Sequence, residues 1–359
     1  MKYTAPTIKD IARALNLSTS TVSRALRDSY EINPATKKLV LEYAARLNYH
    51  PNPIALSLRE RRSLSLGVVV CEVANSFFSQ VINGVESIAY EKGYQVIISQ
   101  SRESSQKEWR GLQYLASRSV DGLLISLSTE TTDLSMIRQL HAQGLPIVFF
   151  DRVAEDIPTH KVTVDGFQAS YKAVSHLVEN GFRRIAILAN AAFLSITKER
   201  LAGYEKALQD HGLPVRESYV RYCDHGGMYY DEVETAVRSL LAERPKPDAI
   251  FAASDKLTTN TLRVLRLLHI RIPEQMALAG FSNSELTELL DPPLTVIKQP
   301  AFEMGRIATE LLLQLIESKR PVKEFETRKL QAEVLVRAST QPRKKRVGQQ
   351  NLSFPEMPQ

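Results

Sequence analysis

The stretch TIKDIARALNLSTSTVSRAL (7–26) reads as two short helices joined by a tight turn. Thr7 followed by Asp10 is a capping box, which places a helix start at Ile8. Ile8, Ile11, Ala12 and Leu15 recur at helical spacing and give that helix one apolar face. Asn16 tolerates the left-handed backbone that ends it, and Leu17 turns back inward. Ser18 then caps a second helix whose buried side is Val22, Ala25 and Leu26. Its outward side carries Thr19, Ser20, Ser23 and Arg24, with Thr21 in the first turn. Short hydroxyls let a helix start come close to base edges. An arginine one turn beyond Ser20 can reach a guanine bidentately in the major groove.

Working outward, Asn33 and Pro34 cap and open a third helix, with Leu39, Val40, Tyr43, Ala44 and Leu47 expected on its inner face. Thr36 and Lys37 at its start suit phosphates, which set register without reading sequence. Tyr49-His50-Pro51-Asn52-Pro53 must be extended, because prolines disfavour helix before them. Ile54–Arg59 is helix-like but too short to be stable alone in water. The charge is unevenly placed. Residues 1–63 hold 11 Lys/Arg against 5 Asp/Glu, residues 339–359 hold 4 against 1, and the remainder 31 against 34. A basic head on a mildly acidic body suits nucleic-acid contact by the head.

From Leu64 onward the pattern becomes alternating apolar strands and amphipathic helices, the mark of parallel sheets covered on both faces. LSLGVVV (64–70), YQVIIS (94–99), GLLIS (122–126) and PIVFF (146–150) make one half. KVTV (161–164), RIAIL (184–188), a strand near Val220, DAIFA (248–252) and MALAGF (276–281) make a second. Two cysteines, Cys71 and Cys223, cannot form a disulfide framework, and no run approaches membrane-spanning length or resembles a signal segment. A soluble, cytoplasmic (nucleoid-associated) protein without membrane contact is expected. Gly-rich phosphate loops, a G-x-S-x-G elbow, HExxH and metal-ligand histidine spacing are all absent, which argues against an enzyme and against any cofactor or metal.

Three separated segments together resemble the LacI/GalR family of bacterial transcription regulators: TIKDIA…LSTSTVSRAL, NYHPNPIALSLR (48–59), and a body with VDGFQASYKAVSHLVENGFRRIAIL (164–188), RLAGY (200–204) and PPLTVIKQPAFEMG (292–305). The resemblance implies an α/β chain with a three-helix helix-turn-helix head (1–51) and a hinge helix and linker (52–63). A two-lobed, periplasmic-binding-protein-like body of two parallel-sheet α/β subdomains (64–340) follows, then a disordered basic tail (341–359). The lobes are expected over about 64–161 with 294–321, and about 162–293 with 322–340.

The implied function is sequence-specific, repressor-type regulation. A homodimer would bind pseudo-palindromic operator DNA, under allosteric control by a small molecule in the interlobe cleft, a sugar or sugar derivative. Base and backbone contacts carried over by the resemblance are Thr7, Ser18, Thr19, Ser20, Thr21, Ser23, Arg24, Asn33, Thr36, Lys37 and Asn52. Ala55 and Leu58 fall in the hinge, Leu58 at the position of a minor-groove wedge. Effector positions so implied are Asn75, Phe77, Phe78, Asp151, Arg152, Phe193, Arg200, His225, Asp255 and Ser282. One departure stands out. Where many members have Asp after Gly-Phe, this chain has Gly280-Phe281-Ser282-Asn283, and Ser282 cannot supply a carboxylate acceptor. Either the ligand differs, Asn283 or Glu285 substitutes, or ligand control is weak. An effector-independent DNA-binding protein and a sugar-binding protein are the competing readings.

Overall fold

The structure is a computed structural model that describes residues 6–49 and 62–341. It separates into two compact units, residues 1–63 and 64–359. The expected hinge contacts Asn52, Ala55 and Leu58, and the tail beyond Gln341, lie outside the described residues.

The first unit holds helices α1 (Ile8–Ala14), α2 (Thr19–Ala25) and α3 (Pro34–Arg46). Asp10 accepts from the Thr7 backbone N–H at 2.9 Å and from its hydroxyl at 2.7 Å, so α1 starts where the capping residues place it. Asn16 takes the left-handed conformation (φ 54°) that ends the helix. Ile11, Val22, Ala25, Val40 and Ala44 close a small core, with Ile8, Leu15, Leu17, Leu26 and Tyr43 packed around it. Leu39 is a correction: it is 49% exposed, because Val40 and Ala44 alone set the buried stripe of α3.

The second unit contains two six-stranded sheets. The first has order β11-β5-β4-β3-β1-β2, all neighbours parallel: β1 (Ser65–Val70), β2 (Gln95–Gln100), β3 (Gly122–Ile125), β4 (Ile147–Phe150), β5 (Lys161–Val164) and β11 (Thr327–Leu330). The second has order β12-β10-β9-β8-β6-β7: β6 (Ile185–Ala189), β7 (Val220–Tyr222), β8 (Ala249–Ala252), β9 (Ala277–Phe281), β10 (Thr295–Lys298) and β12 (Glu333–Leu335), of which only β12 runs antiparallel to its neighbour. Helices α4 (Ser76–Glu91), α5 (Ser105–Ser117), α6 (Ser135–Ala142) and α11 (Ala301–Glu317) belong to the first lobe. Helices α7 (Gly166–Glu179), α8 (Ser195–Asp210), α9 (Tyr230–Ala242) and α10 (Asp255–Leu267) belong to the second.

The lobe boundaries read from sequence need correction. KVTV (161–164) pairs with β4 and β11 in the first sheet, whereas Thr295–Lys298 sits in the second and Thr327–Leu330 returns to the first. The chain therefore crosses between lobes after Val164, after Lys298 and after Leu330. Strand–helix alternation identifies strands but not the sheet each joins, so the crossings were invisible to periodicity. Apolar side chains cover both faces of each sheet. Helices α4 and α11 touch backbone to backbone: a Cβ on Gly84 would strike the Phe302 carbonyl, and one on Gly305 the Val81 carbonyl.

Candidate functional site

In the first unit the outward face of α2 is a row of exposed hydroxyls. Ser18 caps the helix by accepting from the Thr21 N–H at 3.0 Å, and its hydroxyl also meets Ser20 and Thr21 at 2.8 Å each. Thr19 and Ser20 are exposed, and Ser23 is half-buried. Ser23 accepts from the Arg27 guanidinium at 2.9 Å, which turns its hydroxyl toward its own helix. Arg24 is exposed and bonded to Glu31 at 2.8 Å, with its Nε 3.4 Å from the Ser20 carbonyl. Lys37 pairs with Asp28 at 2.6 Å, and Asn33 caps α3 through the Ala35 N–H at 2.8 Å. Thr36 is half-buried beside it. The sequence did not single out Glu31 or Asp28 as groups already holding the cationic contacts.

In the second unit parallel strands bring their carboxyl ends to one edge of each sheet, the usual place for a ligand in open α/β folds. The two edges meet across a cleft. Lys256 at the start of α10 pairs with Glu72 beyond β1 at 2.9 Å, and a Cβ on Gly226 would lie 3.4 Å from Glu103. Phe193, Ser195 and Lys198 of the second lobe share a cavity of about 440 Å³ with Leu127, Thr131 and Arg152 of the first. Phe193 is 46% exposed, free to offer its ring.

Two buried guanidiniums dominate this region. Arg152 donates to Glu103 at 2.6 Å, to the Leu127 carbonyl at 3.3 Å and to Cys71 Sγ at 3.3 Å. Arg200 donates to the Ala253 carbonyl at 2.6 Å and Gln299 Oε1 at 3.1 Å, and lies 3.9 Å over the Phe281 ring. Burial pushes its pKa down to about 10, against the pull of Asp151. The Nε of each guanidinium is buried without a hydrogen-bond partner, that of Arg152 lying 4.0 Å from Asp151 Oδ2. So are Ser101 Oγ, Ser126 Oγ and Asn190 Oδ1, each on the first or second residue past the end of its strand, together with Thr129 Oγ1 and Thr197 Oγ1. Buried polar atoms normally find partners, so these atoms of both lobes have hydrogen-bonding capacity that the described residues leave unused.

The remaining candidates divide. Asp151 is buried in the left-handed conformation (φ 57°), and burial raises its carboxyl pKa despite Arg152 and Arg200. His225 stands 3.4 Å from Glu232 and 4.0 Å from Glu130, its ring edge on Tyr229. Asn75 uses its side chain to cap α4 through the Phe77 N–H at 2.9 Å. Phe77 and Phe78 are core residues at 4% exposure each, Phe78 packing edge-on against Phe150. The Ser282 departure has a local answer. The Ser282 hydroxyl donates to Asp255 Oδ1 at 2.6 Å, so the carboxylate stands at the first turn of α10 instead of the end of β9. Burial raises the Asp255 pKa, and the Ser282 bond opposes it. Ser254, not Asp255, is the cap of α10. Neither substitute considered from sequence takes that place. Glu285 is exposed, and Asn283 is committed to Gln80 and Gln299.

Residues 63–339 match the family described as periplasmic binding proteins and sugar binding domain of LacI family, and residues 7–52 match bacterial regulatory proteins, lacI family. The chain belongs to the LacI family. It is 31% identical to catabolite control protein A of Priestia megaterium over 87% of this chain and 93% of that one. It is 32% identical to the transcriptional repressor PurR of Vibrio campbellii (92% and 97% covered). Among solved structures, the transcriptional regulator CelR–cellobiose complex is 33% identical, with TM-score 0.68 and coverage of 93% and 99%. The lac repressor dimer bound to operator and the anti-inducer ONPF is 26% identical, with TM-score 0.79 and coverage of 94% and 100%. As a LacI-family member the chain is a DNA-binding transcription regulator with an effector-binding body. No helix among the described residues is long and apolar enough to cross a membrane.

Proposed function

We propose that this LacI-family regulator is a cytoplasmic, homodimeric repressor whose operator affinity is set by a neutral, hydroxyl-rich small molecule of the sugar class. The carrying observation is the set of buried hydroxyl, amide and guanidinium Nε atoms without hydrogen-bond partners beyond the strand ends of both lobes and on α8. Both terminal nitrogens of Arg200 are held by carbonyl oxygens, and Nη1 of Arg152 by the Glu103 carboxylate, whose charge would repel a phosphate. A sugar hydroxyl can both donate and accept, and fits the remaining Nε donors and the Asp255 acceptor. A phosphate would need a guanidinium that is not already engaged. The CelR–cellobiose complex and a LacI family transcriptional regulator from Enterococcus faecium with bound ribose, 29% identical with TM-score 0.67, agree in ligand class.

On the head, Thr19, Ser20 and Arg24 take the base-reading role, and Ser18, Thr21, Asn33, Thr36 and Lys37 the backbone contacts. A twofold assembly doubles those contacts on a palindromic site. Leu267, Leu286 and Leu289, at 61%, 66% and 77% exposure, give the second lobe an apolar face for the second copy. The deciding experiment is a melting-temperature series with ribose, cellobiose and their phosphorylated counterparts. A ligand at a hundred times its Kd stabilises by about 2.7 kcal/mol. A neutral sugar should raise Tm and shift operator affinity. Stabilisation by phosphorylated sugars alone would overturn the ligand class, and light scattering showing a monomer with and without DNA would overturn the dimer.

A further inference from the structure

Gln80 on α4 and Asn283 beyond β9 belong to different lobes and are joined twice. Asn283 Nδ2 donates to Gln80 Oε1 at 2.8 Å, and Gln80 Nε2 donates to the Asn283 carbonyl at 3.1 Å. The same Asn283 amide also grips the backbone of Gln299. It accepts from the Gln299 N–H at 3.1 Å and donates to the Gln299 carbonyl at 2.7 Å. Gln299 lies on the chain's second passage between lobes, and its own side chain receives Arg200. An unbroken series of bonds therefore runs from the Arg200 guanidinium through Gln299 and Asn283 to α4 of the opposite lobe.

Asn283 is 2% exposed, and both its side-chain donors and its acceptor are engaged. Its neighbour Ser282 is fixed in turn by Asp255 and by the Ser284 N–H at 3.2 Å. A second tie between the lobes, Lys256–Glu72, is ionic and only partly buried, so salt screens it. The amide pair is neutral, so salt does not screen it, and although Gln80 is half-buried, Asn283 is fully buried and holds it by two directional bonds.

We infer that Gln80 and Asn283 are the positioning residues that fix the angle between the lobes, and that Arg200 transmits cleft occupancy to them through Gln299. The second half of this inference rests on the cleft being the effector site. The first half does not.

The test is single-molecule energy transfer between dyes on Lys107→Cys and Thr235→Cys, exposed positions on α5 and α9, in the full chain. Cys71 and Cys223 are buried and escape labelling. One labelled chain is diluted into unlabelled protein, so that each assembly reports one chain. The parent should show one closed population. Gln80→Leu removes both amide bonds and should shift the closed-to-open ratio about tenfold, adding a low-efficiency population. Gln80→Glu cannot donate when ionised, so it should open at pH 8 and close again only toward about pH 4, as the carboxyl gains its proton, with the parent run alongside as the pH reference. Gln80→Leu and Gln80→Glu histograms that superimpose on the parent's, with native far-UV circular dichroism, would overturn the latch. Ribose and cellobiose at millimolar concentration probe the second half. A sugar that narrows the parent but also narrows Arg200→Lys equally would overturn transmission through Arg200. If neither sugar binds the parent, the sugar-effector reading falls and transmission falls with it, while the ligand-free histograms still decide the latch.

Discussion

The reading helix of the first unit and the cleft of the second hold their cations in opposite ways. Arg24 and Lys37 are tied to Glu31 and Asp28 by pairs with at least one exposed partner. Such pairs contribute about 0–1 kcal/mol, so a base edge or a phosphate can replace the acidic partner at little cost. Arg152 and Glu103 are 8% and 7% exposed in their side chains, and neither can be released into water without a large loss. The head is therefore built for exchange of partners, and the cleft for a fixed scaffold whose leftover atoms meet the ligand.

The largest effect should come from breaking that scaffold. Glu103→Ala leaves buried Arg152 with Asp151, at 4.0 Å, as its one remaining counter-charge, and should cost about 3–5 kcal/mol in urea unfolding. A loss under about 1 kcal/mol would mean that the cleft pair is as exchangeable as the pairs on the head. Next comes Asp255→Asn, which removes the charged acceptor and should weaken effector binding by about 1.5–3 kcal/mol by calorimetry. Because burial raises the Asp255 pKa, the parent's affinity should fall on acidification at a pH above the usual aspartate range, as the carboxylate gains a proton. The asparagine variant should lack that component, and an unchanged pH profile would remove Asp255 from the site.

On the head, Arg24→Ala should cost about 1–3 kcal/mol on the operator and much less on random duplex, measured by fluorescence anisotropy. Equal losses on both would make Arg24 a phosphate contact. The smallest expected change is Glu31→Gln, worth under about 1 kcal/mol. It should raise affinity for random duplex and lower the ratio of specific to nonspecific binding. No change in that ratio would mean that Glu31 does not restrain Arg24.

Much of this was legible beforehand. The Thr7–Asp10 box, the Asn16 turn and the apolar strands announce themselves because each depends on neighbours within a few positions. What was missed depends on contacts far apart in sequence. Nothing local to KVTV says that it pairs with Thr327–Leu330, and nothing local to Glu103 says that it meets Arg152, 49 positions away. Asn75 caps α4 and Phe77 and Phe78 pack in the core, local roles that the start of a helix after a strand requires and that the residue types alone do not distinguish from ligand contacts. Ser101, Ser126 and Asn190 look like ordinary loop residues. The available signal was their position immediately past apolar parallel strands.

The three passages between lobes also have a consequence for synthesis on the ribosome. The second lobe is almost wholly contained in one continuous stretch, from Gly166 to Lys298, with β12 and the turn Ala338–Thr340 arriving later. The first lobe is divided: α11, which covers α4, and the edge strand β11 are made after that stretch. At about 5–20 residues per second, α4 waits roughly 10–40 s for its partner helix. During that interval Val81 and Val85, fully buried in the finished protein, have not yet met α11. The second lobe can assemble all but its edge strand while the first still lacks α11, so the nascent chain passes through a stage with one nearly complete lobe and one open hydrophobic face. That face is where a chaperone would act.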